Sequence, residues 1–265
     1  MIETISIWQA LILGIIEGLT EFLPVSSTFH LLLTSQILKI PLNQYTKLFE
    51  IFIQSGAILA VIWLYRQEII SRFDLVAKTA LAFLPTALLG IGLYGPIKNI
   101  FMEQVWGQVY IFLFTGLLFL LFEFLIRRGL IKLTKTINSL KFHEALIIGS
   151  LQALAFFPGV SRAGAVILVM MLFGYRRSEA AFFSFFLAIP TIIGAAAFDL
   201  YKSRDALISF RYQILPLSLG FVVSFMVALV AIRWFLGYLK NHSLNLFAFY
   251  RFILGFLASL WLFLK

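Results

Sequence analysis

Six stretches of this chain, at about 48–65, 79–97, 107–126, 180–198, 214–235 and 246–264, stay apolar for about as long as a helix needs to cross a bilayer. A hydrocarbon core of about 30 Å takes about 20 helical residues. Nothing else in the sequence narrows the fold as far, because a segment in lipid must satisfy its own backbone hydrogen bonds. The composition agrees. Hydrophobic residues make up 62% and charged residues 12% of the chain, and the mean hydropathy is +0.99. An all-α polytopic membrane protein follows, a single integral membrane domain over 1–265. The absence of cysteine excludes disulfides and thiolate metal sites. The net charge of +9 is scattered between apolar spans, as topology charge is, and this argues against nucleic acid as a partner. Glu3, with no basic segment, precedes the first apolar run, so no cleavable signal peptide is expected.

Residues 5–38 and 144–174 are apolar too, but each is interrupted by a polar, proline-containing break, Pro24-Val-Ser-Ser in one and Pro158-Gly-Val-Ser-Arg162 in the other. Each half is too short to cross comfortably, so both regions read as re-entrant helical hairpins. Irregular backbone at that depth is tolerated only where protein buries it or a cavity hydrates it. A shift of 135 residues aligns Gly14 with Gly149, Glu17 with Gln152, Phe22 with Phe157, Val25 with Val160 and Ser26 with Ser161. The expected architecture is therefore six transmembrane helices plus two re-entrant hairpins in an inverted-topology repeat, with pseudo-repeats at about 5–126 and 144–264. The two broken tips would meet near the midplane.

The basic segment from Arg127 to Lys141 contains no acid and marks the cytoplasmic side. It places Arg66, Arg72, Lys78, Arg176, Arg177, Arg233 and Lys240 inside as well. Both termini and the first hairpin's entry then lie outside.

The first break carries the densest chemistry: Glu17, Glu21, Ser26, Ser27 and His30 within fourteen residues. Ionisable groups at membrane depth line a bundle interior or a hydrated cavity. Glu17 and Glu21 are i,i+4 on one helix face and suit either a divalent cation or a shared proton. Pro24 ends the helix. His30 follows Ser26 and Ser27 closely enough to reach either hydroxyl, and a serine beside an imidazole is the minimal activated oxygen nucleophile. A plain N-cap is the competing reading for either serine. The second break reads as an anion cradle. Gly159 permits unusual dihedrals, Ser161 can cap the next half-helix, whose N-terminus favours anions, and Arg162 offers a planar fork of donors to phosphate. A structural ion pair of Arg162 with Glu17 or Glu21 is the competing reading. Glu50 and Gln54 line the same cavity or make ordinary polar contacts. Arg251 reads as a structural partner, and His143 and His242 need no role.

Glu17-Gly-Leu-Thr-Glu21-Phe-Leu-Pro-Val-Ser26-Ser27-Thr-Phe-His30 resembles the first motif of the bacterial undecaprenyl-diphosphatase family, the bacitracin-resistance type, and Pro158-Gly-Val-Ser161-Arg162 is similar to the start of its second. Phe49-Glu50-Ile-Phe-Ile-Gln54-Ser-Gly56, Phe185-Phe-Leu-Ala-Ile-Pro190, Asp199-Leu-Tyr-Lys202 and Tyr250-Arg251-Phe follow in the family's order. The resemblance implies a multi-pass enzyme of the bacterial inner membrane, open to the outer side. It would hydrolyse undecaprenyl diphosphate to undecaprenyl phosphate and inorganic phosphate, recycling the peptidoglycan carrier and conferring bacitracin resistance.

Carried over by residue, the resemblance implies catalytic roles for Ser27, His30, Glu17, Glu21 and Arg162. Phosphate contacts fall to Ser26, Ser161, Arg162 and Gly159. A divalent cation, Mg or Ca, would sit on Glu17 and Glu21, with no organic cofactor. The partners are the lipid substrate and membrane lipids, with a homodimer left open. Three positions depart from the pattern. Phe29 stands where the family usually has Gly, and Ala163 and Val166 stand where it has Ser and Thr, which predicts the loss of two hydroxyl donors to phosphate. A slow or inactive homologue is therefore one alternative, and a lipid-phosphate flippase or ion-coupled transporter another. Ser27 with His30 favours the enzyme, because a carrier needs no nucleophile and base.

Overall fold

A computed structural model describes residues 5–41, 43–101, 105–202 and 214–264. Among these described residues the structure is all-helical, and six helices are long and apolar enough to cross a membrane. They are α3 (Gln44–Leu64), α5 (Phe73–Phe101), α6 (Val105–Arg127), α9 (Arg177–Lys202), α10 (Ile214–Asn241) and α11 (Asn245–Leu264). Leu88, Val230 and Phe256, each in the middle of such a helix, are about 70% exposed (72%, 69% and 67%). Side chains of that kind on an outer surface belong against lipid. All six expected spans appear. α5 starts at Phe73, ahead of the expected 79, because the i,i+4 pair Asp74–Lys78 closes at 2.6 Å and hides the lysine stem. Its ammonium lies 5.2 Å from the centre of the Phe142 ring.

The two broken regions form pairs of short helices, α1 (Ile7–Thr20) with α2 (Ser27–Ile37), and α7 (Phe142–Gln152) with α8 (Arg162–Leu172). The short helix α4 (Arg66–Ser71) links α3 to α5. α1 opens on a capping box. Ser6 Oγ accepts from the Gln9 N–H at 3.2 Å, and Gln9 Oε1 accepts from the Ser6 N–H at 2.8 Å. α1 stops at Thr20 because Pro24 has no N–H for the Thr20 carbonyl and its ring would clash there. α7 loosens into a 3-10 turn over Ala153–Phe156, and Gly159 then turns the chain with φ +99°.

The far end of each pair returns to its own beginning. Gln9 Nε2 on α1 donates to the Leu38 carbonyl just past α2, at 3.2 Å. The stretch between α6 and α7 reaches the end of α8, where Thr134 and Lys135 both donate to the Gly174 carbonyl at 2.9 Å. Lys135 also pairs with Glu144 on α7 at 2.8 Å. The same end of the molecule collects the basic segments. Arg72 donates to Asn138 Oδ1, and Arg177 grips Glu123 through two hydrogen bonds of 2.8 and 2.5 Å. Glu123 also accepts from the Leu244 N–H, at 2.8 Å. Arg72, Lys135, Arg176 and Arg177, four of the bases expected on one side, thus share one face.

Small residues bring the short pairs close to the long helices. α1 packs on α10, where a Cβ on Gly14 would lie 2.6 Å from the Gly220 oxygen and one on Gly18 would lie 2.5 Å from the Ser224 oxygen. Helices in lipid associate through close backbone approach of this kind. At Gly149, α7 meets the Ala82 carbonyl of α5 in the same way.

Candidate active site

The two breaks touch. Ser161 Oγ donates to the Leu23 carbonyl at 3.3 Å, and Arg162 Nη2 donates to Glu21 Oε1 at 3.0 Å. From α11, the fully buried Arg251 fastens both turns: Nε donates to the Pro24 oxygen at 2.9 Å, and Nη1 donates to the Gly159 oxygen at 3.2 Å and to Thr115 Oγ1. Arg251 is therefore structural, as its sequence suggested, though its targets lie 92 and 227 residues away in the chain.

Beside this junction lies a cavity of about 160 Å³, lined by Glu21, Ser26, Ser27, Gln54, Ser161 and Arg162, and also by the hydrogen-bonded group Thr86, Gln152 and Thr191. An engineered protein cavity of about 150 Å³ takes a benzene-sized ligand, so one phosphoryl group fits. Ser27 is the first residue of α2, and its Oγ donates to Glu21 Oε2 at 2.5 Å. Gln54 Nε2 reaches the same oxygen at 3.4 Å. Arg162, the first residue of α8, also donates through Nη1 to the Ser184 carbonyl at 3.0 Å. Ser161 caps α8 by accepting from the Gly164 N–H at 3.1 Å. Serine hydroxyl, carboxylate and guanidinium thus run in one hydrogen-bonded chain along the cavity wall. The starts of two helices, with their free N–H groups, open beside it.

Ser26 pays for this arrangement with φ 66°, ψ 90°, a backbone region that residues with a side chain rarely adopt. Its hydroxyl is buried and finds no partner in the protein. Strain at such a position marks functional sites.

His30 does not go where the sequence suggested. Its Nδ1 pairs with the Ser26 carbonyl at 2.8 Å and its Nε2 with the Tyr250 hydroxyl at 2.6 Å, and the two rings stack at 5.6 Å. Neither nitrogen faces a serine hydroxyl, and the group beside Ser27 is Glu21. The ring sits on the α11 side of α2, where it steadies the strained Ser26 turn. Gly159 also lies off the cavity, packed on α6, where a Cβ would come within 2.5 Å of the Gln108 oxygen.

Glu17 is fully buried behind Glu21; no donor group of the protein reaches its oxygens, and the Glu21 carboxyl lies within hydrogen-bonding reach of them. The charged groups acting on it are Glu21, Glu50 and Arg162. A carboxyl so placed needs its own proton or a cation. Among the described residues no three His, Asp or Glu side chains gather into a cation site. The oxygen-only donors here fit a hard divalent ion only if a ligand's phosphate oxygens complete its shell, as they do for Mg.

Phe29 is fully buried and stacks on Phe112 of α6 at 4.2 Å. Ala163 and Val166 are also fully buried, and neither lines the cavity. The expected loss of two phosphate donors therefore has no counterpart at this cavity, because both side chains pack instead. Sequence reading missed Thr86 and Thr191, which are ordinary threonines within apolar helices, and Tyr250, whose partner lies 220 residues away.

The family model for bacitracin resistance protein BacA matches residues 10–257. Among similar proteins, an undecaprenyl-diphosphatase of Sulfurihydrogenibium sp. is 43% identical, over 96% of this chain and 98% of its own. One of Aquifex aeolicus is 40% identical, over 94% and 95%. One of Wolinella succinogenes is 42% identical, over 97% and 98%.

Proposed function

The chain belongs to the bacitracin resistance protein BacA family, and from that premise we propose that it hydrolyses undecaprenyl diphosphate to undecaprenyl phosphate and inorganic phosphate. The enzyme is a multi-pass membrane phosphatase. It recycles the lipid carrier of peptidoglycan synthesis and so confers bacitracin resistance.

The observation that carries the chemistry is the chain Ser27–Glu21–Arg162 at the cavity wall. Arg162 and the first turn of α8 hold the terminal phosphoryl group. Ser27 Oγ attacks its phosphorus and passes its proton to Glu21, and the bond to the bridging oxygen breaks. Undecaprenyl phosphate leaves, and Glu21 gives its proton up to the departing monophosphate. Water then attacks the phosphoserine, one of its protons passing through Glu21 to Ser27 Oγ as the bond from that oxygen to phosphorus breaks, and hydrogen phosphate is released. Glu21 takes the part of base that the sequence had given to His30. While Glu21 is still ionised, it and Glu17 would hold a divalent cation, Mg or Ca, which would supply positive charge beside the phosphate site.

The short pairs α1–α2 and α7–α8 are re-entrant hairpins of an inverted repeat. The return of each pair to its own beginning and the meeting of the two turns support this reading. The basic face is cytoplasmic, and the cavity serves the outer side of the inner membrane. Purified protein in detergent is expected to convert undecaprenyl diphosphate to the monophosphate with one phosphate released per lipid. An unchanged diphosphate contradicts the proposal.

A further inference from the structure

The cavity that Arg162 lines also carries a polar group that the proposed chemistry does not use. Gln152, in the last turn of α7, is 1% exposed. Its Nε2 donates to Thr86 Oγ1 at 3.0 Å and to Thr191 Oγ1 at 3.1 Å. Each threonine has already committed its one proton, Thr86 to the Gly149 carbonyl and Thr191 to the Leu187 carbonyl, both at 2.7 Å. The Gly149 oxygen needs that donor, because the Ala153 N–H at the end of α7 turns to the Ser150 and Leu151 oxygens. Both hydroxyls can therefore only accept from the amide, and this fixes which way the amide faces. Gln152 Oε1 is left buried without a donor, on a residue that lines the cavity. Glu21, the one carboxylate among the described residues that line the cavity, already accepts from Ser27, Gln54 and Arg162. Gln152 Oε1 is an acceptor reserved for whatever enters.

We propose that Gln152 Oε1 accepts a hydrogen bond from the protonated oxygen of the phosphoryl group in the cavity. The site then selects hydrogen phosphate over tetrahedral anions that carry no proton. This rests on the phosphatase reading. Inorganic phosphate keeps an O–H at neutral pH. Sulfate has the same shape and no O–H, so it would set lone pairs against Oε1. One hydrogen bond to a charged group separates the two anions by about tenfold or more.

The test follows formation of the lipid monophosphate by the full chain in detergent, inhibited by inorganic phosphate or by sulfate. Wild type is expected to need at least about tenfold less phosphate than sulfate for equal inhibition. Gln152→Met loses the preference. So does the double variant Thr86→Val and Thr191→Val, which keeps Gln152 but frees its amide to turn. Equal inhibition of wild type by both anions overturns the proposal, as does a preference retained in Gln152→Met. If wild type forms no monophosphate, the phosphatase reading fails. Phosphate and sulfate shifts of the thermal transition of wild type then decide the role of Gln152 by the same criterion.

Discussion

At the scale of single residues, the site is built from groups whose surroundings leave them little freedom. Ser26 sits at φ 66° and is not a glycine. Strain of this kind costs about 1–3 kcal/mol, so Ser26→Gly is expected to raise stability by about 1 kcal/mol, read as a higher thermal midpoint in detergent. An unchanged or lower midpoint would show that the turn is not strained. Arg162 must reach Glu21 and the Ser184 carbonyl at once. A lysine ammonium is a compact point charge and cannot span both. Arg162→Lys is therefore expected to cut kcat/KM by about 100-fold, the equivalent of about 2.7 kcal/mol, although the charge is kept. Glu17, Glu21, Ser27 and Arg162 stand out in the sequence because a charge or paired hydroxyls in an oily chain need a reason, and Glu21, Ser27 and Arg162 meet at the cavity. The partner of His30 was not. Three residues separate it from Ser27, but the side on which its ring lands depends on the turn at Ser26 and on Tyr250, which the chain delivers from far away.

At the scale of elements, both helix breaks could be read from proline, glycine and serine, and all six long helices from hydropathy alone. Their ends were harder to read, since ion pairs such as Asp74–Lys78 extend a helix past the apolar run. Close contacts were not legible either, because which glycine faces which helix depends on packing. Gly18→Val is expected to push α1 off α10, given the 2.5 Å approach of a Cβ to the Ser224 oxygen. The cost should be at least about 1–3 kcal/mol, seen as a lower thermal midpoint, whereas Gly237→Val on the same α10, where a Cβ meets nothing, should cost less. On the basic face, burial pushes the Glu144 carboxyl up, but hydrogen bonds from Lys135, Tyr175 and the Lys141 N–H hold it below its ordinary value of 4.5. A carboxyl lowered on folding stabilises the fold above its ordinary value, and that contribution is lost as pH falls through the lowered one. Wild type should therefore lose thermal stability as the pH is taken below about 4.5. Glu144→Gln, which has no proton to gain there, should lose less. Parallel curves for the two proteins would remove Glu144 from the account.

At the scale of the molecule, two short helix pairs reach one another inside a sheath of long apolar helices, and the cavity lies where they meet. The sequence repeat pointed to that meeting, since the Glu17–Ser27 and Gln152–Arg162 stretches fall in register. The clamp that secures it, Arg251 across both turns, is a tertiary feature with no local signal. Because the chain has no cysteine, single cysteines can report orientation. Lys47→Cys should react with an impermeant thiol reagent from outside intact cells, and Arg128→Cys only after the membrane is opened; the reverse pattern would invert the topology. The attacking role of Ser27 is tested by phosphate release from undecaprenyl diphosphate by Ser27→Ala beside wild type, both in detergent. Release by the variant should fall by at least about 1,000-fold, the equivalent of about 4 kcal/mol, with its thermal midpoint unchanged. Release at the wild-type rate would mean that the hydroxyl on Glu21 is not the attacking group and that the chemistry lies elsewhere.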